Sequence, residues 1–214
     1  MNSKWFAPVV IVAMLIFSAA VYNALPAQVP IHWNASGVAD RYGDRLFGVL
    51  AMPVIALVCA VLIPTMRRLD PLRASYTSFE GTYRFLINLL VVFLGFVHVM
   101  SLGIALGWSI NMSQVIGVAL GLMFALLGNV LGRVRPNWFM GIRTPWTMSD
   151  PEVWRLTHRV GGRMMVVMGL VVMVVSLVLT GELAVIAMMI TIFGTTGAIL
   201  VYSYIAWRRL HPAA

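Results

Sequence analysis

The chain has 214 residues, of which 61% are hydrophobic and only 10% are charged, and its mean hydropathy is +0.92. Soluble globular proteins contain about 45–50% apolar residues, so this composition excludes that class and indicates an integral membrane protein. Its net charge of +8 comes mainly from basic residues that flank apolar runs, so it does not predict direct nucleic-acid binding. A lone cysteine, Cys59, excludes a disulfide framework and a cysteine-based zinc site within one chain.

Six apolar runs are long enough to cross roughly 30 Å of hydrocarbon as helices. They cover residues 5–25, 47–66, 84–107, 114–132, 164–180 and 184–206. A backbone in lipid must satisfy its own hydrogen bonds, and the alternating strands of a membrane barrel are missing. The sequence therefore predicts an all-α polytopic membrane protein with six transmembrane helices, the first of which is too long for a cleavable signal.

The basic residues predict the orientation, because cytoplasmic loops retain lysine and arginine. Thirteen of the fifteen fall on one side of the predicted membrane, and only Arg41 and Arg45 fall on the other. The thirteen are Lys4, Arg67, Arg68, Arg73, Arg84, Arg133, Arg135, Arg143, Arg155, Arg159, Arg163, Arg208 and Arg209. We therefore expect both termini in the cytoplasm.

The loop at residues 26–46 is the long segment on the extracytoplasmic side. Pro26 and Pro30 should end the first helix and keep the chain extended, and the polar residues after Trp33 predict a turn. An interfacial tryptophan with a polar turn accounts for Trp33 alone. A ligand-contacting role accounts better for His32, Asn34, Asp40 and Asp44 together. The candidate ligand surface is Pro30, His32, Trp33, Asn34, Gly37 and Asp40.

Two further segments are predicted from local patterns. In the cytoplasmic loop at residues 67–83, Asp70 before Pro71 is typical of the start of a short helix. The arginines around that loop are expected to meet anionic lipid head groups, and no chemistry is assigned to it. Span four contains GVALG and GNVLG, whose small residues let helix backbones approach closely, so we expect this span to be central in the bundle.

The cytoplasmic loop at residues 133–163 concentrates the polar chemistry of the chain. Ser149 to Glu152 fits a capping box and Asp150 with Pro151 fits an N-cap, so a helix should begin near residue 150. On that helix the arginines at 155, 159 and 163 form one stripe, while Trp154, Thr157, His158 and Gly161 should face the bundle. Arg143 lies between Trp138 and Trp146, where its guanidinium could bind a carboxylate, a phosphate or a helix end.

The pattern of these residues resembles the SdpI family of bacterial membrane immunity proteins. The resemblance rests on GIRTPWT and on VWRLTHRVG, and the Pro30, His-Trp-Asn, glycine and aspartate pattern resembles the small domain that often precedes the family domain. The motif residues are Asn129, Asn137, Gly141, Arg143, Thr144, Pro145, Trp146, Thr147, Trp154, Thr157, His158 and Arg159. The implied division is an N-terminal region at 1–83 and an SdpI-like region at 84–214.

The resemblance implies a non-enzymatic protein of the bacterial cytoplasmic membrane, without a cofactor or a metal, that gives resistance to a secreted antimicrobial peptide toxin. It also implies possible sequestration of a cytoplasmic transcriptional repressor. The alternative is a membrane enzyme or transporter of a small lipid-soluble substrate, with Asn129, Arg143 and His158 at a pocket. A deep cavity lined by Arg143, Trp146, Trp154, His158 and Asn129 would favour the alternative, whereas interlocking of these side chains would favour a latch.

Overall fold

The computed structural model describes residues 3–212. Its first half contains α1 (Phe6–Val21), the strands β1 (Gln28–Trp33) and β2 (Ala39–Asp44), α2 (Arg45–Leu69) and α3 (Glu80–Ala105). Its second half contains α4 (Met112–Leu131), the short α5 (Pro145–Ser149), α6 (Pro151–Val178) and α7 (Gly181–Leu210). Short 3-10 helices at Tyr22–Ala24 and Arg73–Phe79 complete the order. Within residues 3–212, six helices are long and apolar enough to cross a membrane, which confirms the predicted class and number of spans.

The bundle has two chemically different ends. At one end, which we call the hairpin end, β1 and β2 pair antiparallel, and the α3–α4 connection contacts their turn through a hydrogen bond from Asn111 Nδ2 to Ser36 O (3.2 Å). The other end, which we call the arginine-rich end, carries the α2–α3 connection, the α4–α6 connection and the helix termini at Phe6 and Leu210. Both described termini therefore lie at the same end of the bundle.

The hairpin is the element that the sequence did not predict. The extended backbone and the turn were expected, but the pairing of Gln28 with Asp44 through to Trp33 with Ala39 was not. Two prolines and many polar residues hide the period-two pattern of a strand. The register is also irregular between Pro30 and Trp33.

The helices α1, α2 and α3 pack around one apolar cluster that includes Ala7, Ile11, Met14, Ala56 and Val91. A polar link joins the same three helices: Ser18 Oγ donates to Val49 O (3.0 Å) and lies 2.9 Å from His98 Nε2. Since the serine proton is directed to the carbonyl, the histidine nitrogen is the donor of the second bond. His98 therefore links α3 to α1 through this hydrogen bond.

Helix α4 packs closely on α6, as its glycines predicted. A Cβ at Gly121 would lie 2.6 Å from Gly169 O, and one at Gly162 would lie 2.6 Å from Gly128 O. Gly161 and Gly162 therefore serve helix packing, and α6 runs unbroken from Pro151 to Val178. Span four was expected to be central, but a larger share of the membrane-spanning residues is buried in α3 than in α4. The reason is that α3 contacts α1, α2 and α4, whereas α4 packs mainly on α6.

Candidate functional site

The connection between α4 and α6 is organised around the side chain of Asn137, which is completely buried. Its Oδ1 accepts from the backbone N–H groups of Phe139 (2.9 Å) and Met140 (2.6 Å), and its Nδ2 donates to the carbonyls of Arg135 and Met140 (both 2.9 Å). A buried amide stabilises a loop only when its donors and acceptors are paired. Asn137 meets that condition through main-chain groups of its own loop.

The α2–α3 connection supplies two more members of this cluster, Asp70 and Tyr76. The Tyr76 hydroxyl donates to Asp70 Oδ2 (2.8 Å) and lies 3.2 Å from Asn137 Oδ1, and the Trp138 N–H also donates to Asp70 Oδ2 (2.9 Å). Asp70 is 2% exposed and Tyr76 is fully buried. Sequence reasoning assigned this loop no role. The signal that could have found it was an isolated acid, beside a proline, among many arginines.

His158 and Trp154 join the loop to α6. The rings stack with their centroids 4.0 Å apart and an angle of 17° between their planes, and Trp154 Nε1 donates to Val134 O (2.9 Å). His158 Nε2 accepts from the Ile142 N–H (2.9 Å), so the proton is on Nδ1, which donates to Trp154 O (2.9 Å). Both ring nitrogens are engaged, which leaves no free lone pair for catalysis.

Gly141 is required where the loop passes over these rings. Its φ is +108°, a conformation that side-chain-bearing residues rarely adopt. A Cβ there would also overlap His158 Nε2 and lie 3.2 Å from Trp154 Cζ2. The glycine therefore serves both the turn and the close contact.

The short helix α5 begins with a complete capping box. Thr144 Oγ1 accepts from the Thr147 N–H (3.1 Å), and Thr147 Oγ1 accepts from the Thr144 N–H (2.8 Å) and donates to Ile142 O (2.8 Å). Pro145 is the first residue of α5, where its missing N–H costs nothing. Helix α6 begins next with Asp150 as N-cap: its Oδ1 accepts from Glu152 N (2.6 Å) and Val153 N (3.2 Å), so of the two predicted registers the Asp150–Pro151 one is formed.

The remaining motif residues lie outside this cluster. Trp146 packs on Tyr204 of α7, with ring centroids 5.1 Å apart, while Arg143 Nη1 donates to Trp138 O. Asn129 and Arg159 are exposed. Thr157 is fully buried, and its hydroxyl has no hydrogen-bond partner within residues 3–212.

We call the interlocked set Asp70, Tyr76, Asn137, Gly141, Thr144, Thr147, Trp154 and His158 the motif clamp. A cavity of about 610 Å³ lies beside it, lined almost entirely by apolar side chains of α3, α4, α6 and α7 and by Met140 to Arg143 of the loop. Asn129, Trp154 and His158 do not line this cavity. The side chains proposed to form a substrate pocket are thus separated or engaged with one another. Within residues 3–212 no group of three His, Cys, Asp or Glu side chains could hold a metal ion.

At the hairpin end, His32 Nδ1 and Asp40 Oδ1 lie 2.5 Å apart on the exposed face. The hydrogen bond from His32 is the main cause that lowers the pKa of the Asp40 carboxyl from its ordinary value of 3.8. Trp33 is half-buried. These three side chains are therefore at least partly accessible for contact with a ligand.

The other hairpin candidates serve the fold of the hairpin. Asn34 Oδ1 accepts from Ser36 N (3.0 Å) and Val38 N (3.1 Å), and Gly37 has a φ of +78°. Pro30 is buried, and its carbonyl accepts from Ser101 Oγ (3.3 Å). The six residues predicted as one ligand surface therefore divide into three that face outward, two that build the turn, and Pro30, which attaches β1 to α3.

Comparison with known proteins shows that the motif clamp and the hairpin lie largely in two segments that match protein-family models. Residues 133–205, which contain most of the motif clamp, match the SdpI/YfhL protein family. This segment is therefore similar to that family over about a third of the chain. Residues 9–57, which contain the hairpin, match a domain of unknown function, DUF1648, so the resemblance noted in the sequence is confirmed in both halves.

The similarity to a known protein extends over almost the whole chain. The protein is 25% identical over 203 residues to the protein named "Immunity protein SdpI" of Bacillus subtilis (strain 168), and the match covers 95% of each chain. No solved structure matches the chain. The clamp residues Asp70 and Tyr76 lie between the two matched units, so they join one to the other.

Proposed function

We propose that this protein is a membrane immunity protein that gives resistance to a secreted antimicrobial peptide toxin. The similarity to an immunity protein extends over 95% of both chains and therefore includes both units and all six long helices. In the proposed orientation, the arginine-rich end faces the cytoplasm and the hairpin end faces outward.

One observation favours this proposal over an enzymatic role: the polar groups of the central motif residues are already hydrogen-bonded within the protein. His158 uses both ring nitrogens and Asn137 uses its whole amide to hold the loop in one conformation. A general base needs a free lone pair within reach of a substrate. A clamp of this kind instead supports a role in binding or in transmitting a conformational change.

The hairpin is the proposed contact for the toxin. It presents the His32–Asp40 pair beside Tyr42 and Val38, which are 55% and 61% exposed. Apolar side chains next to a charged pair suit an amphipathic peptide, since its two faces can each find a partner. Through Ser101 and Asn111 the hairpin is hydrogen-bonded to α3 and to the α3–α4 connection, which gives a physical route from the surface to the bundle.

The test is protection of a sensitive strain. Cells that express the protein should survive a membrane-depolarising peptide toxin that kills control cells, and Asp40→Asn with His32→Ala should lose most of that protection. Glu182→Gln removes a carboxylate from the same end of the bundle without touching the hairpin pair, so it should protect like the wild type. Membrane levels are measured for each variant. Unchanged killing of wild-type expressors by every toxin in a panel would rule out the immunity role.

We further propose that the arginine-rich end binds a cytoplasmic transcriptional repressor. Exposed arginines of the α4–α6 connection and of α6, among them Arg133, Arg135, Arg159 and Arg163, give this end a cationic surface suited to an acidic partner. A fluorescent fusion of a repressor encoded beside this gene should move to the membrane when toxin is added. A repressor that stays in the cytoplasm in toxin-treated, protected cells would contradict this part of the proposal and leave immunity intact.

A further inference from the structure

A second cavity, of about 730 Å³, lies between α1, α2 and α3 at the arginine-rich end. Away from its mouth the cavity is apolar and is lined by residues such as Ile11 and Val12 of α1 and Leu57, Ala60 and Val61 of α2. Its mouth is lined by Lys4, Arg67, Arg68, Arg73 and Arg84. The volume lies within the range of about 300–1,000 Å³ typical of ligand sites.

The charge at this mouth is unbalanced. Glu80 is the one acid among its lining residues, and its two oxygens are already paired, one with Arg67 and one with Arg84 (2.7 Å). Lys4, Arg68 and Arg73 form no ion pair within residues 3–212. Five cations and one acid leave an excess of four positive charges around a single opening.

Arg67 is held in place before any ligand arrives. Its guanidinium carbon lies 5.2 Å from the centroid of the Tyr76 ring and 5.6 Å from that of Tyr83, in addition to its pairing with Glu80. Only 27% of its side chain is exposed. An arginine fixed in this way loses little conformational entropy when it binds an oxyanion, whereas a freely moving surface arginine loses much more.

We propose that this cavity binds one anionic phospholipid of the membrane leaflet at the arginine-rich end. The phosphate would lie among the cations at the mouth, and an acyl chain would fill the apolar part between α1 and α2. Charged hydrogen bonds to a phosphate and burial of a chain act together here, which distinguishes the site from ordinary attraction of arginines to a charged membrane surface. Because Tyr76 contacts Arg67 and also belongs to the motif clamp, the lipid would stabilise the clamp.

The proposal is independent of the immunity role and is tested with purified protein in neutral detergent. Native mass spectrometry should detect one retained phosphatidylglycerol and much weaker retention of phosphatidylcholine with the same acyl chains. Arg68→Gln with Arg73→Gln removes two mouth charges that have no ion-pair partner in the fold, and should lower phosphatidylglycerol retention roughly tenfold or more. Arg159→Gln with Arg163→Gln removes two exposed charges of α6 outside the cavity and should leave retention unchanged.

Ala60→Phe tests the apolar part of the cavity, since the larger side chain occupies that space and should reduce lipid retention while all the cations remain. Glycerol phosphate, which has no acyl chain, should bind far more weakly than the lipid. Equal retention of the two lipids, equal loss in both arginine variants, or glycerol phosphate binding as tight as that of the lipid would each overturn the proposal. The comparison of the two lipids on wild-type protein stays decisive if a variant fails to fold.

Discussion

At the scale of single residues, His158 and Gly141 each hold the loop in place through specific contacts. His158 is used as a connector that donates from one nitrogen and accepts at the other. Protonation of the ring would remove the acceptor for the Ile142 N–H and leave that donor without a partner, so the clamp requires a neutral histidine. Gly141 lets the loop backbone lie against the stacked rings.

The Gly141→Ala variant should therefore be clearly destabilised. A positive φ costs a side-chain-bearing residue about 1–3 kcal/mol, and the new Cβ would also overlap the His158 ring. Gly194→Ala is the matched control, because a Cβ at Gly194 of α7 meets no atom within 4 Å and alanine favours a helix by up to about 1 kcal/mol. Thermal unfolding in detergent should show a lower Tm for Gly141→Ala alone, and equal Tm values in the two variants would contradict this account.

The His32–Asp40 pair gives a prediction about pH. The pKa of Asp40 is lowered from 3.8 by its hydrogen bond with His32, so the unfolded state binds a proton more readily than the folded state. The stabilisation is therefore present above pH 3.8 and is lost as the pH falls through the lower folded pKa. A carboxyl-carbon NMR titration from about pH 7 to about pH 2 should place the Asp40 midpoint below 3.8, and His32→Ala should return it towards that value. A midpoint unaffected by His32→Ala would remove the hydrogen bond as the cause.

At the scale of elements, the packing of α4 on α6 decides where the clamp forms. Glycines at 121, 128, 162 and 169 let the two backbones touch, and this contact brings the C-terminal end of α4 next to Trp154 and His158. In lipid no hydrophobic force draws two helices together, so close van der Waals contact through small residues takes that role.

Gly121→Ala should weaken this pair by about 1–3 kcal/mol, since overpacking moves the backbones apart. The added Cβ would lie 2.6 Å from Gly169 O and 2.8 Å from Met173 N, both of which are backbone atoms. Gly197→Ala on α7 is the control, because nothing lies within 4 Å of its Cβ position. Hydrogen exchange of the α4–α6 loop should rise in Gly121→Ala and stay unchanged in Gly197→Ala, and the same exchange in both would count against the close contact.

At the scale of the whole molecule, the structure links the two halves at the arginine-rich end. Asp70 and Tyr76 of the α2–α3 connection hydrogen-bond Trp138 and Asn137 of the segment that is similar to the SdpI/YfhL family. Tyr76 also contacts Arg67, which lines the proposed lipid site. At the other end, the hairpin is hydrogen-bonded to α3 and to the α3–α4 connection. A change at either end therefore has packed helices and hydrogen bonds through which it can reach the other.

The proposed orientation predicts which end is accessible from outside the cell. In a Cys59→Ser background, a membrane-impermeant maleimide should label Ser36→Cys of the hairpin turn in intact cells. Ser78→Cys, an equally exposed serine at the arginine-rich end, should be labelled only after the cells are permeabilised. The reverse pattern would invert the orientation, and with it the proposed sides for toxin and repressor.

The sequence by itself determined the properties that depend on local composition and spacing. Hydropathy identified six spans, the Asp150–Pro151 step located the start of α6, and the four-residue spacing of Arg155, Arg159 and Arg163 separated an exposed stripe from a buried face. These features follow from helix periodicity and from the cost of placing charge in hydrocarbon.

Only the tertiary structure decided which distant residues act together. The pairing of β1 with β2, the attachment of Asp70 and Tyr76 to Asn137, and the cationic cavity built from α1, α2 and α3 join residues far apart in the chain. The tertiary structure also leaves Asn129 and Arg159 exposed and buries His158 and Trp154, although all four belong to one sequence motif. Helix packing sets these distances, and packing depends on the whole bundle, so no spacing within a single segment could predict them.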